Sequence, residues 1–346
     1  MGVVGFGLAG RIFHTAVIHA TPGLELACVV QRSGDDAKSV YPEAHVARSV
    51  EEMLGDTSIR LVVIATPSYS HHELAQHCLR EQRSVVIDKP FTLTSEEAAE
   101  LIGMARERKL LLTAYQNRRW DGDFKTVRQV IATGELGRLV SFESHFDRFR
   151  PEARRGVWRE SGGPGGGTLF DLGPHLIDQA LTLFGAPATI SASVRVERED
   201  AVVDDAWDIL IEYEEPRRMT ALLRATLTAC ARGPRYVVHG TNGSFVKWGL
   251  DPQEDQLKAG MKFDQVGFGE EPESAWGELK ICDGASGARR VKTERGDYRG
   301  LYENVRDALL GKAELEVKPE QAWRTTRLIE LARESSGQGR RLRVDL

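Results

Sequence analysis

Val4-Gly5-Phe6-Gly7-Leu8-Ala9-Gly10 follows a short apolar run and precedes Arg11-Ile12-Phe13-His14, which can open a helix. The glycines stand as G-x-G-x-x-G, and a strand–turn–helix setting gives each a task. Gly5 permits the tight turn, Gly7 lets backbone approach a pyrophosphate, and Gly10 lets the helix pack closely on the strand. The helix N-terminus offers free N–H groups and a positive dipole to phosphates. The alternative is a glycine-rich turn with no ligand; the βα units that follow favour the dinucleotide site. Only Met1-Gly2-Val3-Val4 precede the turn. The first strand is therefore expected to be short, as it would be if the natural chain began earlier.

Outward from this turn, strand and helix alternate. Leu24 to Val30 reads as a strand and Val50 to Leu54 as a short helix. Ile59 to Thr66 is a continuous apolar run of buried parallel-strand type. A helix from His71 to Arg80 is expected to start in a capping box of Ser70 and Glu73. Ser84 to Ile87 is a strand ending at Asp88-Lys89-Pro90. Thr94 and Glu97 cap a helix to about Arg108, and Leu110 to Tyr115 is a further strand. This alternation implies a parallel sheet covered on both faces.

After Gln116-Asn117-Arg118 the pattern changes. A helix over about Asp121 to Thr133 is followed by longer alternating segments: Leu139–Phe146, Ile190–Glu197, Trp207–Tyr213 and Met219–Leu227. Tyr236–His239 and Ser244–Trp248 flank Thr241-Asn242-Gly243, a type I′ hairpin signal. Residues 250–297 carry weak strand signals, and two late helices cover Tyr298–Leu310 and Glu320–Glu334. The fold class is α/β. A doubly wound Rossmann domain spans residues 1–118, and an α+β domain with an open, mostly antiparallel sheet spans 119–346. One face of that sheet should be covered by helices and the other left open; exposed apolar faces of domain size mark interfaces.

The 346 residues exceed what one core usually holds, which agrees with two domains. A formal charge of −5 gives no basic face for nucleic acid or an anionic membrane. No apolar run reaches the length of a membrane span. Cys28, Cys78, Cys230 and Cys282 are scattered without a C-x-x-C. That fits reduced thiols in a cytoplasmic protein better than a disulfide or zinc framework.

In open α/β sheets ligands sit beyond the carboxyl ends of the strands. Three such ends are unusual: Thr66-Pro67, Asp88-Lys89-Pro90 and Gln116-Asn117-Arg118. Lys89 is well placed to touch a substrate oxygen beside a nicotinamide; pairing with Asp88 is the alternative. A second constellation follows Gly165-Gly166-Gly167, where Asp171, His175 and Asp178 fall at i, i+4, i+7 on a helical stripe. A carboxylate one turn from an imidazole orients it and stabilises its protonated form, which suits a general base for alcohol oxidation. A structural histidine and a metal pair are the competing readings. The metal reading lacks a third soft or imidazole ligand, so no metal is expected. Pro174 means that this helix starts there or bends. At the end of the second strand, Gln31-Arg32-Ser33-Gly34 lacks the carboxylate that would bond a ribose 2′-hydroxyl. Arg32 and Ser33 can instead meet a 2′-phosphate, with Asp35 and Asp36 nearby as possible ribose ligands. Arg148 and His145 are candidates for hydroxyl recognition. Trp158 and Arg159 could close over the cofactor.

With these residues assembled, the chain resembles the glucose–fructose oxidoreductase / inositol dehydrogenase / rhizopine-catabolism (Gfo/Idh/MocA) family over essentially its whole length. The resemblance rests on Gly5, Gly7 and Gly10, on Ala65-Thr66-Pro67 through His71, on Asp88-Lys89-Pro90, and on Gly165 through His175. Asp88 stands where the family has glutamate. Tyr115–Asp121, Glu143–Pro151 and Tyr236–Gly240 leading to Gly249–Glu254 look like the NADP-dependent scyllo-inositol dehydrogenase branch. The resemblance implies hydride transfer between NADP, or less readily NAD, and a polyol or sugar, a scyllo-inositol-like cyclitol first. It implies substrate contacts from Lys89, Asp171 and His175, with His175 as proton acceptor and Asp171 supporting it; the residue reading adds Arg148 as a substrate contact. The motifs and the resemblance together give cofactor contacts from Gly5, Phe6, Gly7, Ala9, Gly10, Thr66, Pro67, His71, Asp88, Lys89 and Asn117, and the residue reading adds Arg32, Ser33 and Trp158. The resemblance also implies a cis Lys89–Pro90 bond and a homodimer or homotetramer through the open sheet. Rival readings are a dehydrogenase of another sugar or a dihydrodiol on the same fold, and a non-enzymatic dinucleotide-binding sensor. A sensor needs the glycine turn but not Lys89, Asp171 and His175 together.

Overall fold

Short runs of valine and isoleucine become the strands of a six-stranded parallel sheet. They are β1 (Gly2–Val4), β2 (Cys28–Val30), β3 (His45–Ala47), β4 (Leu61–Ile64), β5 (Ser84–Ile87) and β6 (Leu112–Ala114), in the order β3-β2-β1-β4-β5-β6. Every residue of β4 and β5 is buried, as a sheet covered on both faces requires. The computed structural model describes residues 1–282 and 287–346. It divides into two units, Met1–Asn117 with Tyr298–Thr326, and Arg118–Asp297 with Arg327–Leu346.

The helices of the first unit are α1 (Ala16–Ala20), α2 (Asp36–Val40), α3 (Val50–Leu54), α4 (His71–Arg80) and α5 (Ser95–Arg108). A π-helical stretch over Ala9–Thr15 runs directly into α1. The strand read from Leu24 starts only at Cys28, because both its neighbours are three residues long and the ladder ends with them. The Thr94–Glu97 capping box forms, with Glu97 N–H donating to Thr94 Oγ1 at 3.1 Å. The one expected at Ser70 does not. A turn over Ser68–Ser70 precedes α4, and Ser70 Oγ donates to the Pro67 carbonyl at 2.8 Å instead.

The second unit opens with α6 (Gly122–Ala132). Its sheet comprises β7 (Leu139–Asp147), β8 (Thr189–Arg195), β9 (Ala206–Tyr213), β10 (Met219–Thr226), β11 (Tyr236–Gly240), β12 (Gly243–Lys247), β13 (Gly277–Ile281), β14 (Arg289–Val291) and β15 (Leu342–Arg343). The order is β14-β13-β12-β11-β7-β10-β9-β8-β15, antiparallel except between β7 and β10. Phe142, Phe146, Ile209, Ile211 and Leu223 point to the buried face. There α7 (Thr168–Phe184) packs, with Phe184 edge-on to Phe142 at 5.2 Å and to Tyr213 at 5.8 Å. On the other face Leu222, Val237 and Val246 are half-buried and Leu210 is exposed. The β11–β12 hairpin forms, but not through a type I′ turn, since neither Thr241 nor Asn242 takes a positive φ. Their N–H groups bond instead to the Arg138 and Leu136 carbonyls, both at 2.9 Å, and that fixes the turn.

α8 (Gln253–Lys258), α9 (Arg299–Leu309) and α10 (Pro319–Gln338) complete the chain. A single boundary at 118 does not describe it, because Tyr298–Thr326 belong to the first unit. The reason is packing: α9 buries Leu301, Tyr302 and Val305, Tyr302 OH meets His14 Nδ1 at 2.7 Å, and Thr113 Oγ1 donates to the Val317 carbonyl at 2.6 Å. Among the described residues no helix is long and apolar enough to cross a membrane.

Asp121 precedes α6 but does not cap it with its side chain. Asp251 does: its Oδ2 accepts the Gly122 N–H at 2.6 Å and its Oδ1 the Gln253 N–H at 2.9 Å. Burial, and then the negative charge of Asp123, push the Asp251 carboxyl up to about 7. Its folded value lies above the unfolded one. Its contribution to stability is therefore present in acid and lost as pH rises through about 7. The melting temperature is expected to fall between roughly pH 4 and 7 for this reason, and to level off above it. The fall should shrink in Asp123→Asn, which removes the neighbouring charge and keeps an acceptor for the Phe124 N–H. A melting temperature that is flat across this window in the wild type would show an ordinary carboxylate.

Candidate active site

The ladder of the first sheet sets its site. Gly5 N–H donates to Val30 O at 3.1 Å, Ala65 N–H to Val4 O at 2.9 Å, Asp88 N–H to Ile64 O at 2.9 Å and Tyr115 N–H to Ile87 O at 2.8 Å. Gly5, Thr66, Lys89 and Asn117 are thereby brought to the same carboxyl edge. The order of the strands reverses between β1 and β4, which is where such sheets bind ligands. Gly5 has φ +100°, and a Cβ on Gly10 would overlap the Gly5 carbonyl oxygen, so helix and turn are in direct backbone contact. A Cβ on Gly7 would meet nothing within 4 Å, so the backbone there is open to approach. These residues fit a dinucleotide pyrophosphate. Phe6 is half-buried, its ring edge-on to Tyr41 at 6.4 Å, and Ala9 starts the helix.

Around the neighbouring strand ends, buried side chains brace the backbone. His71 is buried, with Nδ1 2.8 Å from Pro90 O and Nε2 2.9 Å from Thr66 O. Burial pushes its imidazole below the ordinary value, and a neutral ring donates to one carbonyl at a time. His71 is thus a strut between two strand ends. The Lys89–Pro90 bond is cis. The Lys89 N–H donates to Asp88 Oδ1 at 2.7 Å, and Lys89 itself is half-buried. Burial alone would raise the Asp88 carboxyl; His14 at 3.8 Å, Lys89 and His71 outweigh it and hold it at about 2. His14 is a residue that sequence reasoning passed over. It bridges Asp88 and Tyr302 and lies 4.1 Å from the Tyr115 ring. Its only sequence signal is position, one helical turn beyond Gly10. Asn117 is buried at the end of this edge.

Arg32 and Ser33 are exposed on the loop after β2. The two carboxylates that follow are engaged elsewhere. Asp35 Oδ1 accepts from Arg48 Nη2 at 2.6 Å, and Asp36 Oδ2 accepts from Gln31 Nε2 at 3.0 Å. Arg48 also donates to the Gln31 and Gly34 carbonyls at 3.1 and 2.6 Å, so it holds the whole loop. Nothing local in the sequence marks Arg48, because it arrives from the end of β3.

In the second unit α7 runs unbroken from Thr168, with Pro174 inside it, so it starts a turn and a half before the proline. Its N-terminus has no local side-chain cap. The Asp204 carboxylate supplies one, accepting Leu169 N–H at 2.7 Å and Thr168 Oγ1 at 3.2 Å. Gly167 has φ +94° and ψ 162°, a region essentially reserved for glycine, and a Cβ there would strike that carboxylate. Further along, Gln179 accepts from Tyr236 OH at 2.8 Å and donates to the Arg118 carbonyl at 3.0 Å. Asp178 takes a two-pronged bond from Arg119, Nε at 2.8 Å and Nη2 at 2.6 Å, so it serves the anchor and not His175. On the helix so fixed, His175 is buried and Asp171 is half-exposed one turn before it. Asp171 pairs with Arg159 at 3.3 Å, whose guanidinium lies 4.5 Å from the Trp158 ring. Arg148 sits beside Asp171 in the lining of one cavity. His145 does not; it pairs with Glu143 at 3.1 Å on the other face of β7. Among the described residues no group of three or more His, Cys, Asp or Glu could hold a metal ion.

This arrangement matches known proteins throughout. Residues 1–116 match the oxidoreductase family's NAD-binding Rossmann fold, and 128–346 match its C-terminal alpha/beta domain. The chain belongs to the Gfo/Idh/MocA oxidoreductase family. It is an NAD(P)-dependent dehydrogenase, and its cofactor is a nicotinamide dinucleotide. The uncharacterized oxidoreductase YdgJ of Escherichia coli K12 is 40% identical, over 97% of this chain and 96% of its own. The scyllo-inositol 2-dehydrogenase (NADP(+)) IolW of Bacillus subtilis 168 is 34% identical, over 100% and 96%. The crystal structure of an oxidoreductase from Bacillus cereus superposes with a TM-score of 0.90 at 32% identity, covering 100% of this chain and 98% of that one.

Proposed function

We propose that this enzyme oxidises a secondary alcohol of a polyol or sugar with NADP, a cyclitol of the scyllo-inositol kind being the first candidate. The observation that carries the reading is α7, which holds a buried imidazole one turn from a carboxylate that opens on a cavity. The 34% identity to an NADP-dependent scyllo-inositol dehydrogenase supports the substrate class. When bound, the nicotinamide supplies the hydride acceptor. Gly5, Phe6, Gly7, Ala9 and Gly10 would hold the pyrophosphate. Arg32 and Ser33 would hold the 2′-phosphate. Thr66, Pro67, Asp88, Lys89, Asn117 and Trp158 would hold the remainder, with His71 bracing them. His175 takes the hydroxyl proton, and Asp171 stabilises the imidazolium that forms. The Lys89 ammonium stabilises the charge that develops on the substrate oxygen. The free, unpaired state of Cys28, Cys78, Cys230 and Cys282 suits the reducing cytoplasm, where we place the enzyme.

A screen of cyclitols and sugars, following the absorbance of the reduced dinucleotide, tests this reading; no oxidation of any of them would reject it. His175→Ala is expected to lose about two to four orders of magnitude in kcat while dinucleotide affinity stays nearly unchanged. Lys89→Met should be as damaging. Near-normal turnover in either variant would overturn these roles.

NADP is expected over NAD by about ten- to a hundred-fold in KM, the usual worth of a charge-assisted bond to arginine. The preference should narrow as salt rises, since Arg32 is exposed. Arg32→Asp should invert it, by repelling the phosphate and accepting from the bare ribose. Equal KM values in the wild type would assign Arg32 to solvent.

The half-exposed apolar residues Leu210, Leu222, Val237 and Val246 in the middle of the open sheet face support a homodimer or homotetramer through that face. Light scattering on the purified protein should give twice or four times the chain mass; a monomer would rule the interface out.

A further inference from the structure

The second unit holds a partly open cleft whose charge a neutral polyol does not explain. Arg148, Arg150, Arg154, Arg159 and Arg198 line it, against Glu160, Asp171 and Asp204. Each carboxylate is already engaged. Glu160 pairs with Arg154 at 2.7 Å and Arg198 at 3.1 Å, and Asp171 pairs with Arg159 at 3.3 Å. Asp204 caps α7, which also removes the helix N-terminus as an anion site. Arg198 is further satisfied by Asp205 at 2.8 Å.

Arg148 and Arg150 remain. Among the described residues neither has a carboxylate within 4.0 Å. The Arg148 guanidinium lies 4.6 Å from the Phe146 ring centroid, packed on an apolar face. Burial pulls its pKa down to about 10, against the opposing charges of Glu254 and Asp171. A half-buried charge with no carboxylate in contact is partly desolvated at a cost, and a bound anion would offset that cost. A guanidinium matches a carboxylate or phosphate through two parallel bonds.

We propose that Arg148 and Arg150 bind an anionic group on the substrate, so that the polyol oxidised is a carboxylate- or phosphate-bearing one. The inference rests on the polyol-dehydrogenase reading and replaces its neutral first candidate with an acidic polyol or sugar. Asp171 lines the same cavity, so the acid group and the reacting hydroxyl belong to one small molecule.

Two measurements separate this inference from the reading beneath it. Calorimetry on the full-length protein compares glucuronate and gluconate, the matching sugar phosphates, and neutral glucose and scyllo-inositol. One acidic class should bind at least about ten-fold tighter than its neutral counterpart, with affinity falling as salt rises. Whichever class binds identifies the acid group. Arg148→Gln and, separately, Arg150→Gln should each cut that preference by about ten- to a hundred-fold, and Arg148→Lys should restore part of it. Arg150→Gln keeps the test usable if Arg148→Gln fails to fold. Turnover is then compared across the same compounds. Equal binding of acidic and neutral compounds overturns the inference. So does a variant that weakens dinucleotide binding and leaves anion binding intact, because the cavity would then serve the cofactor. Anion binding with no turnover of any compound upholds the anion site and rejects the polyol-and-sugar substrate reading.

Discussion

The candidate chemistry of the second unit depends on one half-buried carboxylate, that of Asp204. A helix leaves its first N–H groups without partners, and Gly167, the residue that precedes α7, has no side chain to satisfy them. Asp204 reaches across and does so, accepting the Leu169 N–H at 2.7 Å. The carboxylate needs room, and that explains the glycine at 167: its backbone angles and the space a Cβ would take both exclude any other residue. With its beginning fixed there and its middle fixed by Arg119 and Gln179, α7 presents Asp171 and His175 from a rigid support. Rigidity of this kind is what a proton acceptor needs, since misplacement by about 1 Å costs on the order of a hundred-fold in rate.

The first unit applies the same logic with different parts. Its strands are three or four residues long, so its edge is held by side chains as much as by ladder bonds. His71 spans Thr66 and Pro90, Arg48 gathers the loop after β2, and His14 sits between Asp88 and Tyr302. Aspartate in place of the family's glutamate at position 88 takes a role that suits its shorter reach. Its carboxylate turns back onto the N–H of the next residue, Lys89, at 2.7 Å. The substitution therefore stiffens the backbone that carries the lysine.

Features written in neighbouring residues were legible from sequence. The glycine turn, the apolar runs of β4 and β5, the Thr94–Glu97 box and the Asp171–His175 spacing each depend on a few adjacent positions. The same method misread Ser70, whose hydroxyl had a closer acceptor in the turn before it, and Thr241-Asn242-Gly243, whose N–H groups found the 136–138 segment. In both places the local pattern was sound and a partner from outside the window won. The return of Tyr298–Thr326 to the first unit was not legible either, since nothing within α9 states that its apolar stripe belongs there.

The sequence by itself determined the element types, the dinucleotide fingerprint and the candidate residues Lys89, Asp171 and His175, because periodicity and short motifs are local properties of the chain. Only the tertiary structure decided which charges are spent and which are left over. It committed Asp178 to Arg119, Asp35 to Arg48, and Asp204 and Asp251 to helix ends more than 30 and 120 residues away in sequence. It left Arg148 and Arg150 without a carboxylate partner beside Asp171. Whether a charge is available for a ligand depends on what else lies within a few ångströms of it, and in a folded chain those neighbours come from distant sequence.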